Sequence, residues 1–287
     1  GASASDVCSS VTWSNNFTSV SDTCGATGSA SVTFTATDNC GNSSSTTATF
    51  TIIDNTNPTI TTQASNLEVQ CDGNGNTAAL NAWLASNGGA SATDVCSSVT
   101  WSNNFTSVSD TCGATGSASV TFTATDNCGN SSSTTATFTI IDNTNPVISV
   151  QASNLEVQCD GNGNTAALNA WLASNGGGAA TDVCSSVTWT NNFTSVSDTC
   201  GATGSASVTF TATDNCGNSS YTTATFTIID NTNPVISVQA SNLEVQCDGN
   251  GNTAALNAWL ASNGGASATD VCSSVTWSNN FTSVSDT

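Results

Sequence analysis

Residues 117–141 read SASVTFTATDNCGNSSSTTATFTII. Val120, Phe122 and Ala124 alternate with Thr121, Thr123 and Thr125, and Ala136, Phe138 and Ile140 repeat the pattern after the turn Asp-Asn-Cys-Gly-Asn. Strict alternation of apolar and β-branched polar residues marks strands with one buried face. A five-residue turn rich in Asn and Gly between two such runs predicts an antiparallel hairpin. Val99 and Trp101 alternate similarly, as do Leu155 with Val157 and Ile148 with Val150. One segment breaks the pattern. Leu168, Trp171 and Leu172 fall at helical spacing, so a short helix is predicted between Asn164 as N-cap and a left-handed Gly176. It is expected to lie across one edge or end of the sheets, with Trp171 in the core.

The hairpin recurs. The string DVCSSVTW starts at Asp6, Asp94, Asp182 and Asp270, a period of 88 residues. Periods of this kind are the signature of tandem arrays. The first two copies differ at only five positions, Thr59/Val147, Thr61/Ser149, Thr62/Val150, Ala90/Gly178 and Ser91/Ala179. The segment Asp-Asn-Thr-Asn-Pro at 54–58, 142–146 and 230–234 is the natural boundary. Its proline holds an extended geometry and stiffens a short linker. The expected organisation is a C-terminal part of a repeat at 1–57, whole repeats at 58–145 and 146–233, and an N-terminal part at 234–287. Each end part would expose half a core, so it is expected to be completed by a continuing chain or by strand exchange with another subunit. The expected fold class is all-β: tandem immunoglobulin-like β-sandwich repeats of 88 residues, each with one short inserted helix.

Composition narrows the function. The 287 residues hold 13 Cys, no Lys, Arg, His or Met, and a formal charge of −20. Nucleic-acid binding is excluded because no side chain can neutralise a phosphate. Catalysis is not expected, since nucleophile–base pairs rely mainly on His or Lys. The single Glu of each repeat (Glu68, Glu156, Glu244) sits on an alternating strand as a solvated residue. No run of about 20 apolar residues predicts a membrane span. The absence of a signal peptide points to processing, or to a window on a longer chain.

So many Cys in small domains imply an oxidising, extracellular setting. Asp-x-Cys recurs every 16 residues, at Asp94/Cys96, Asp110/Cys112 and Asp126/Cys128, and then Asp142 stands without Cys. If each step crosses the sandwich once, Cys96 and Cys128 share one end, with Cys71 and Cys112 at the other. The expected pairs are Cys96–Cys128, Cys71–Cys112, Cys184–Cys216, Cys159–Cys200 and Cys8–Cys40, which leaves Cys24, Cys247 and Cys272 over. Four Cys allow three connectivities. Zinc is disfavoured, because there is no Cys-x-x-Cys pair and no His.

Two patterns point to calcium. Asp72, Asn74 and Asn76, repeated as Asp160, Asn162 and Asn164, alternate oxygen ligands like the front of an EF-hand loop, without its closing Glu. The linker residues Asp54, Asn55 and Asn57, repeated as Asp142, Asn143 and Asn145, are similar to the Asp/Asn-rich linkers that calcium stiffens in cadherin-type arrays. Tight turns demand the same residue types. N-linked sequons occur at Asn16, Asn42, Asn104, Asn130, Asn192 and Asn218, so glycans are expected partners beside the chain itself.

The run from Val120 to Asn130, VTFTATDNCGN, with the later Ile-Ile-Asp-Asn-Thr-Asn-Pro and with DVCSSVTW at 94–101, resembles the HYR (hyalin repeat) domain. The near-identical copies look like those of large surface proteins of Bacteroidetes. That resemblance implies an immunoglobulin-like fold and adhesion or extension at a bacterial cell surface, with no catalytic residues. The helix, and a Cys inside the turn, depart from the family pattern. The leading expectation is a segment of a disulfide-stabilised filament, stalk or surface fibre. The alternatives are the extender of an adhesin, or a carbohydrate-binding module should Trp83 or Trp101 be exposed.

Overall fold

The computed structural model describes residues 1–284. The chain forms two compact units, Gly1–Asn143 and Thr144–Thr287.

The first unit holds β1 (Val11–Asn15), β2 (Ser21–Asp22), β3 (Gly28–Asp38), β4 (Ser43–Ile52), β5 (Thr59–Thr62), β6 (Leu67–Gln70), α1 (Thr77–Ala85), β7 (Ser91–Thr93), β8 (Val99–Asn103), β9 (Gly116–Asp126) and β10 (Ser131–Ile141). The stretch 117–141 is the hairpin β9–β10, with Val120 opposite Ala136 and Phe122 opposite Thr134. β8 flanks β9 antiparallel, and β6 joins the far edge of β10 in parallel, giving the order β6-β10-β9-β8. The inner face is closed: Val120, Phe122, Ala124, Ala136, Phe138 and Ile140 are all buried. Alternation therefore reads this face correctly.

The opposing layer is half helix. The ribbon β5–β7 forms one part. α1 supplies the rest, with Leu80 and Trp83 buried. Trp83 stands edge-on to Phe122 at 5.1 Å and tilted over Phe138 at 5.7 Å between ring centroids. Its indole N–H donates to the Ser65 carbonyl at 3.0 Å. The helix thus covers the middle of the sheet, not an edge or end as expected. The Trp83 ring is anchored on Phe122 and Phe138, which belong to the two central strands β9 and β10.

The second unit repeats this design with β11 (Val147–Val150), β12 (Leu155–Gln158), α2 (Thr165–Ala173), β13 (Ala179–Thr181), β14 (Val187–Asn191), β15 (Gly204–Asp214) and β16 (Ser219–Ile229). Its core includes Leu168, Trp171, Phe210 and Phe226, which places Trp171 where the sequence placed it. Two local expectations fail. Asn164 does not cap α2 with its side chain; it takes a left-handed conformation at φ 50°. Its side-chain amide is already bound to the Gln158 carbonyl and the Asp160 N–H. Ile148 and Val150 do not share a face, because a bulge between them leaves Val150 half exposed. Gly176 is left-handed at φ 65°, in the turn after the helix. A Cβ there would press on Ala152 and on Phe210.

Each unit also carries part of a further sandwich. In 1–57, β3 and β4 pair as β9 and β10 do, and β1 and β2 flank β3. In 234–284 the ribbon β17 (Val235–Val238) with β18 (Ser267–Thr269) and the helix α3 (Thr253–Ala261) form, with no four-stranded sheet.

Candidate cation-binding junction

Within the first unit, the end of 1–57 meets the start of the next repeat. The turn at 24–27 lies against the loop around Cys96, and the Ala26 N–H donates to the Cys96 carbonyl at 2.8 Å. Gly25 is left-handed at φ 58°, and a Cβ on it would lie 2.5 Å from that carbonyl oxygen. Only glycine lets the two turns approach this closely. The second unit repeats the contact, with Ala202 donating to the Cys272 carbonyl at 2.7 Å.

Disulfides close these junctions. Cys24 bonds Cys128, and Cys159 bonds Cys272, across sequence separations of 104 and 113 residues. Cys71, Cys112, Cys184 and Cys216 are also disulfide-bonded, while Cys8, Cys40, Cys96, Cys200 and Cys247 are free. This corrects the expected pairs Cys96–Cys128, Cys159–Cys200 and Cys8–Cys40, because Cys128 and Cys159 are bonded to Cys24 and Cys272, and Cys8, Cys40, Cys96 and Cys200 are free. Cys24 and Cys272, left over by the sequence reading, are bonded. The placement at sandwich ends was sound. Val99 pairs with Asp126, so Cys96 and Cys128 share one end. The Cys71 N–H donates to Ile141 at the end where Gly116 meets Ile140, so Cys71 and Cys112 share the other. Cys24–Cys128 and Cys159–Cys272 each run from the trailing end of one repeat to the leading end of the next.

Beside Cys24–Cys128 three carboxylates converge. Oxygens of Asp54, Asp94 and Asp126 all lie within 4.8 Å of one another. Asp54 ends the strand-to-linker turn. Asp94 and Asp126 are the two same-end members of the 16-residue Asp series. Asp94 Oδ1 accepts the N–H groups of Cys96 and Ser97, each at 2.9 Å. Asp126 is buried and accepts the N–H of Cys128 at 2.8 Å and of Asn130 at 2.9 Å, plus Asn130 Nδ2 at 2.8 Å. The same Nδ2 donates to the Asp54 carbonyl at 3.2 Å and ties the linker to the turn. Asp54 Oδ1 accepts the Thr56 N–H, while Asp54 Oδ2 is buried with no hydrogen-bond partner.

Three like charges so close should repel, since the chain holds no basic side chain to offset them. Burial alone pushes the Asp126 carboxyl up, but the donors from Asn130, Cys128 and Gly129 outweigh it and hold it below the ordinary carboxylate range. The Cys96 thiol is pushed up by burial and then by the charges of Asp54, Asp94 and Asp126. An all-oxygen set with an orphaned buried carboxylate oxygen fits a hard divalent ion such as calcium. In the second unit Asp230 and Asp270 converge with Cys272, whose sulfur is already spent in a disulfide. No hairpin after Asp270 supplies the counterpart of Asp126 within the 287 residues.

The EF-hand-like loops are put to other use. Asp72 Oδ1 accepts the N–H of Asn74 at 2.7 Å and of Asn76 at 3.0 Å, and Asp160 does the same for Asn162 and Asn164. Those bonds shape the entry to each helix. Of the linker residues, Asp142 accepts Gln70 Nε2 at 3.2 Å, and Asn55, Asn57, Asn143 and Asn145 are exposed. Asp94 and Asp126 were not assigned as ligands from sequence, although the 16-residue spacing carries the signal. Among the sequons, Asn16, Asn104 and Asn192 use their side-chain oxygens to accept strand N–H groups at 2.8 Å.

The hydrogen-bonded carboxylates make stability depend on pH. Asp38, Asp72, Asp126, Asp160, Asp214, Asp248 and Asp270 are all held below their ordinary value. The unfolded chain then binds protons more readily, so stability is complete above the unfolded value of about 3.9 and is lost as pH falls through the folded values. Thermal melts from pH 7 to 2 should show a flat Tm above about pH 5 and a steep fall below about pH 4. A Tm that rises on acidification would mean that carboxylate repulsion dominates.

No family model matches the chain, and no curated protein matches it. Among solved structures it is similar to the cis-dimer structure of protocadherin gammaB7 EC3-6, with 14% identity and a TM-score of 0.29, over 75% of this chain and 61% of that one. Drosophila N-cadherin EC1-4 gives 12% identity and a TM-score of 0.26, over 72% of this chain and 59% of that one. The chain spans about three fifths of the length of these neighbours. Likeness of this degree adds nothing to what the strands themselves establish. Among the described residues no helix is long and apolar enough to cross a membrane.

Proposed function

We propose that the chain is a load-bearing segment of an extracellular repeat array, a disulfide-stabilised filament, stalk or surface fibre whose joints also hold calcium. The observation that carries this reading is the Cys24–Cys128 bond. It fastens one repeat to the next instead of closing a single repeat, so tension along the chain passes through covalent bonds at the joint. The Asp54, Asp94 and Asp126 carboxylates lie in the same joint. They would hold the ion between the linker and the following repeat, and so remove the hinge that a five-residue linker otherwise leaves. The VTFTATDNCGN signature supports placing these repeats with HYR-like domains at a bacterial surface. The extender of an adhesin would use the same joints. The carbohydrate-binding reading loses Trp83, which is buried against Phe122 and Phe138, and keeps only the half-buried Trp101.

Calorimetry of the chain in EDTA and in calcium tests the joint. Extracellular calcium modules bind with Kd near 10⁻⁴–10⁻³ M, so calcium at about 100 times Kd should stabilise the joint by about 2.7 kcal/mol. Asp94→Asn should abolish the shift. An unchanged melt with no heat of binding would remove calcium from the reading.

A further inference from the structure

The joint disulfides decide which parts of the chain a pull can reach. Cys24 is bonded to Cys128, with Cα atoms 5.2 Å apart, and Cys159 to Cys272, with Cα atoms 6.0 Å apart. Residues 25–127 and 160–271 are therefore closed loops. A pull applied outside such a loop is taken by its bridge, because the bridge is far shorter than the backbone around the loop and tightens first. What stays in series between Cys24 and Cys272 is the stretch 128–159. The other bonded cysteines, Cys71, Cys112, Cys184 and Cys216, can shorten that route but cannot lengthen it.

Much of that stretch is already extended. β10 (Ser131–Ile141) begins just after Cys128. It is held by β9 from Ser131 opposite Thr125 to Ile140 opposite Gly116, and by β6 over Phe138–Ile141. A strand rises about 3.3 Å per residue and a chain reaches at most about 3.6 Å, so a strand pulled between its own ends gains about 0.3 Å per residue. Such a pull does not peel it from its neighbours. In the second unit the route follows β11 and then β12, which lies parallel to β16 and ends at Gln158, directly before Cys159. Off the route lie α1 and α2, the rings of Trp83 and Trp171 with those of Phe122 and Phe210, and the carboxylates of Asp54, Asp94 and Asp126.

We propose that tension bypasses the helices, the tryptophan clusters and the acidic joint, and runs through Cys24–Cys128, residues 128–159 and Cys159–Cys272, with β10 as the load-bearing strand of its sandwich. This deepens the load-bearing part of the proposed function and rests on that reading. It separates two duties within one joint. The sulfur bridge resists stretching, while an ion among the three carboxylates resists bending and is not itself pulled upon. The route also keeps its length when a sandwich melts, because a disulfide holds its loop closed in the unfolded chain as well.

The test stretches the full chain in optical tweezers, with handles ligated to its two termini. With the disulfides formed, extension should stop at about 260 Å, the reach of 1–24, 128–159 and 272–287 at about 3.6 Å per residue. Dithiothreitol should raise that limit roughly fourfold, to about 1,000 Å for the whole chain. Oxidised C24A/C128A should extend past 260 Å, because the pull must then enter 25–127. C96A should keep the limit, since that thiol is free. Exchange of calcium for EDTA should also leave it unmoved. An oxidised wild-type chain that extends well beyond 260 Å, a C24A/C128A chain that stops there, or a limit that moves with calcium would overturn the proposal. Failure of the calcium reading is a separate result: an absent heat of binding strikes the ion and leaves the limit in place, whereas a long extension with calcium binding intact strikes the load path alone.

Discussion

Replacing both Trp83 and Trp171 by Ala is expected to destabilise each complete sandwich by about 3–5 kcal/mol, a large part of the stability of a domain this small. The physical reason is specific to these rings. Each is 6% exposed and spans two Phe rings, Phe122 with Phe138 or Phe210 with Phe226. Truncation leaves a ring-sized void and strips the Ser65 or Ser153 carbonyl of its indole donor. The identical residue Trp259 sits on α3 with no Phe pair beneath it among the described residues, so Trp259→Ala in the monomer should cost well under half as much. Denaturant titrations of W83A/W171A and of W259A, followed by circular dichroism, would measure the contrast. Equal losses would mean that the tryptophans act through helix propensity and not through the sheet.

Removing the joint disulfide with C24A/C128A should cost about 4–5 kcal/mol in the chain-entropy model for a loop of about 100 residues. Cys96→Ala should cost almost nothing, because that thiol is free. The contrast separates the two connectivities. A bond inside the repeat between Cys96 and Cys128 would make Cys96→Ala as harmful as losing Cys128. A bond between repeats makes Cys24 the sensitive residue, although it lies in a different repeat from its partner. The measurement is guanidinium denaturation without reductant, with limited proteolysis to show whether 1–57 comes loose. Equal sensitivity of the two variants would sink the interlocking joint.

Much of this was legible in the sequence. The faces of β9 and β10 followed from alternation alone, because side chains at i and i+2 must share a face of a pleated strand. Trp171 was assigned to the core from its helical spacing with Leu168. The ends to which Cys96, Cys128, Cys71 and Cys112 belong followed from the 16-residue spacing. The partner of Cys128 did not, because spacing measures distance along the chain and two repeats bring opposite ends into contact. The Asp54, Asp94 and Asp126 cluster was hidden for the same reason: its members come from both sides of a joint. Asn164 was misread as a side-chain cap because its amide could satisfy either the helix or the preceding loop, and only the folded loop decides between them.

The sequence by itself determined the period, the alternating strands, the helix and the turns, since each depends on neighbours within a few residues. The fate of those elements was decided by tertiary structure. Leu-Glu-Val-Gln is a strand at Leu67–Gln70 and Leu155–Gln158, where β10 and β16 offer an open edge, and carries no strand at 243–246. Val-Thr-Trp-Ser-Asn is a strand beside β3 and β9 but not at 275–279. A strand exists only when another supplies its hydrogen bonds and a second layer covers its face, and no short stretch of sequence contains its own partner.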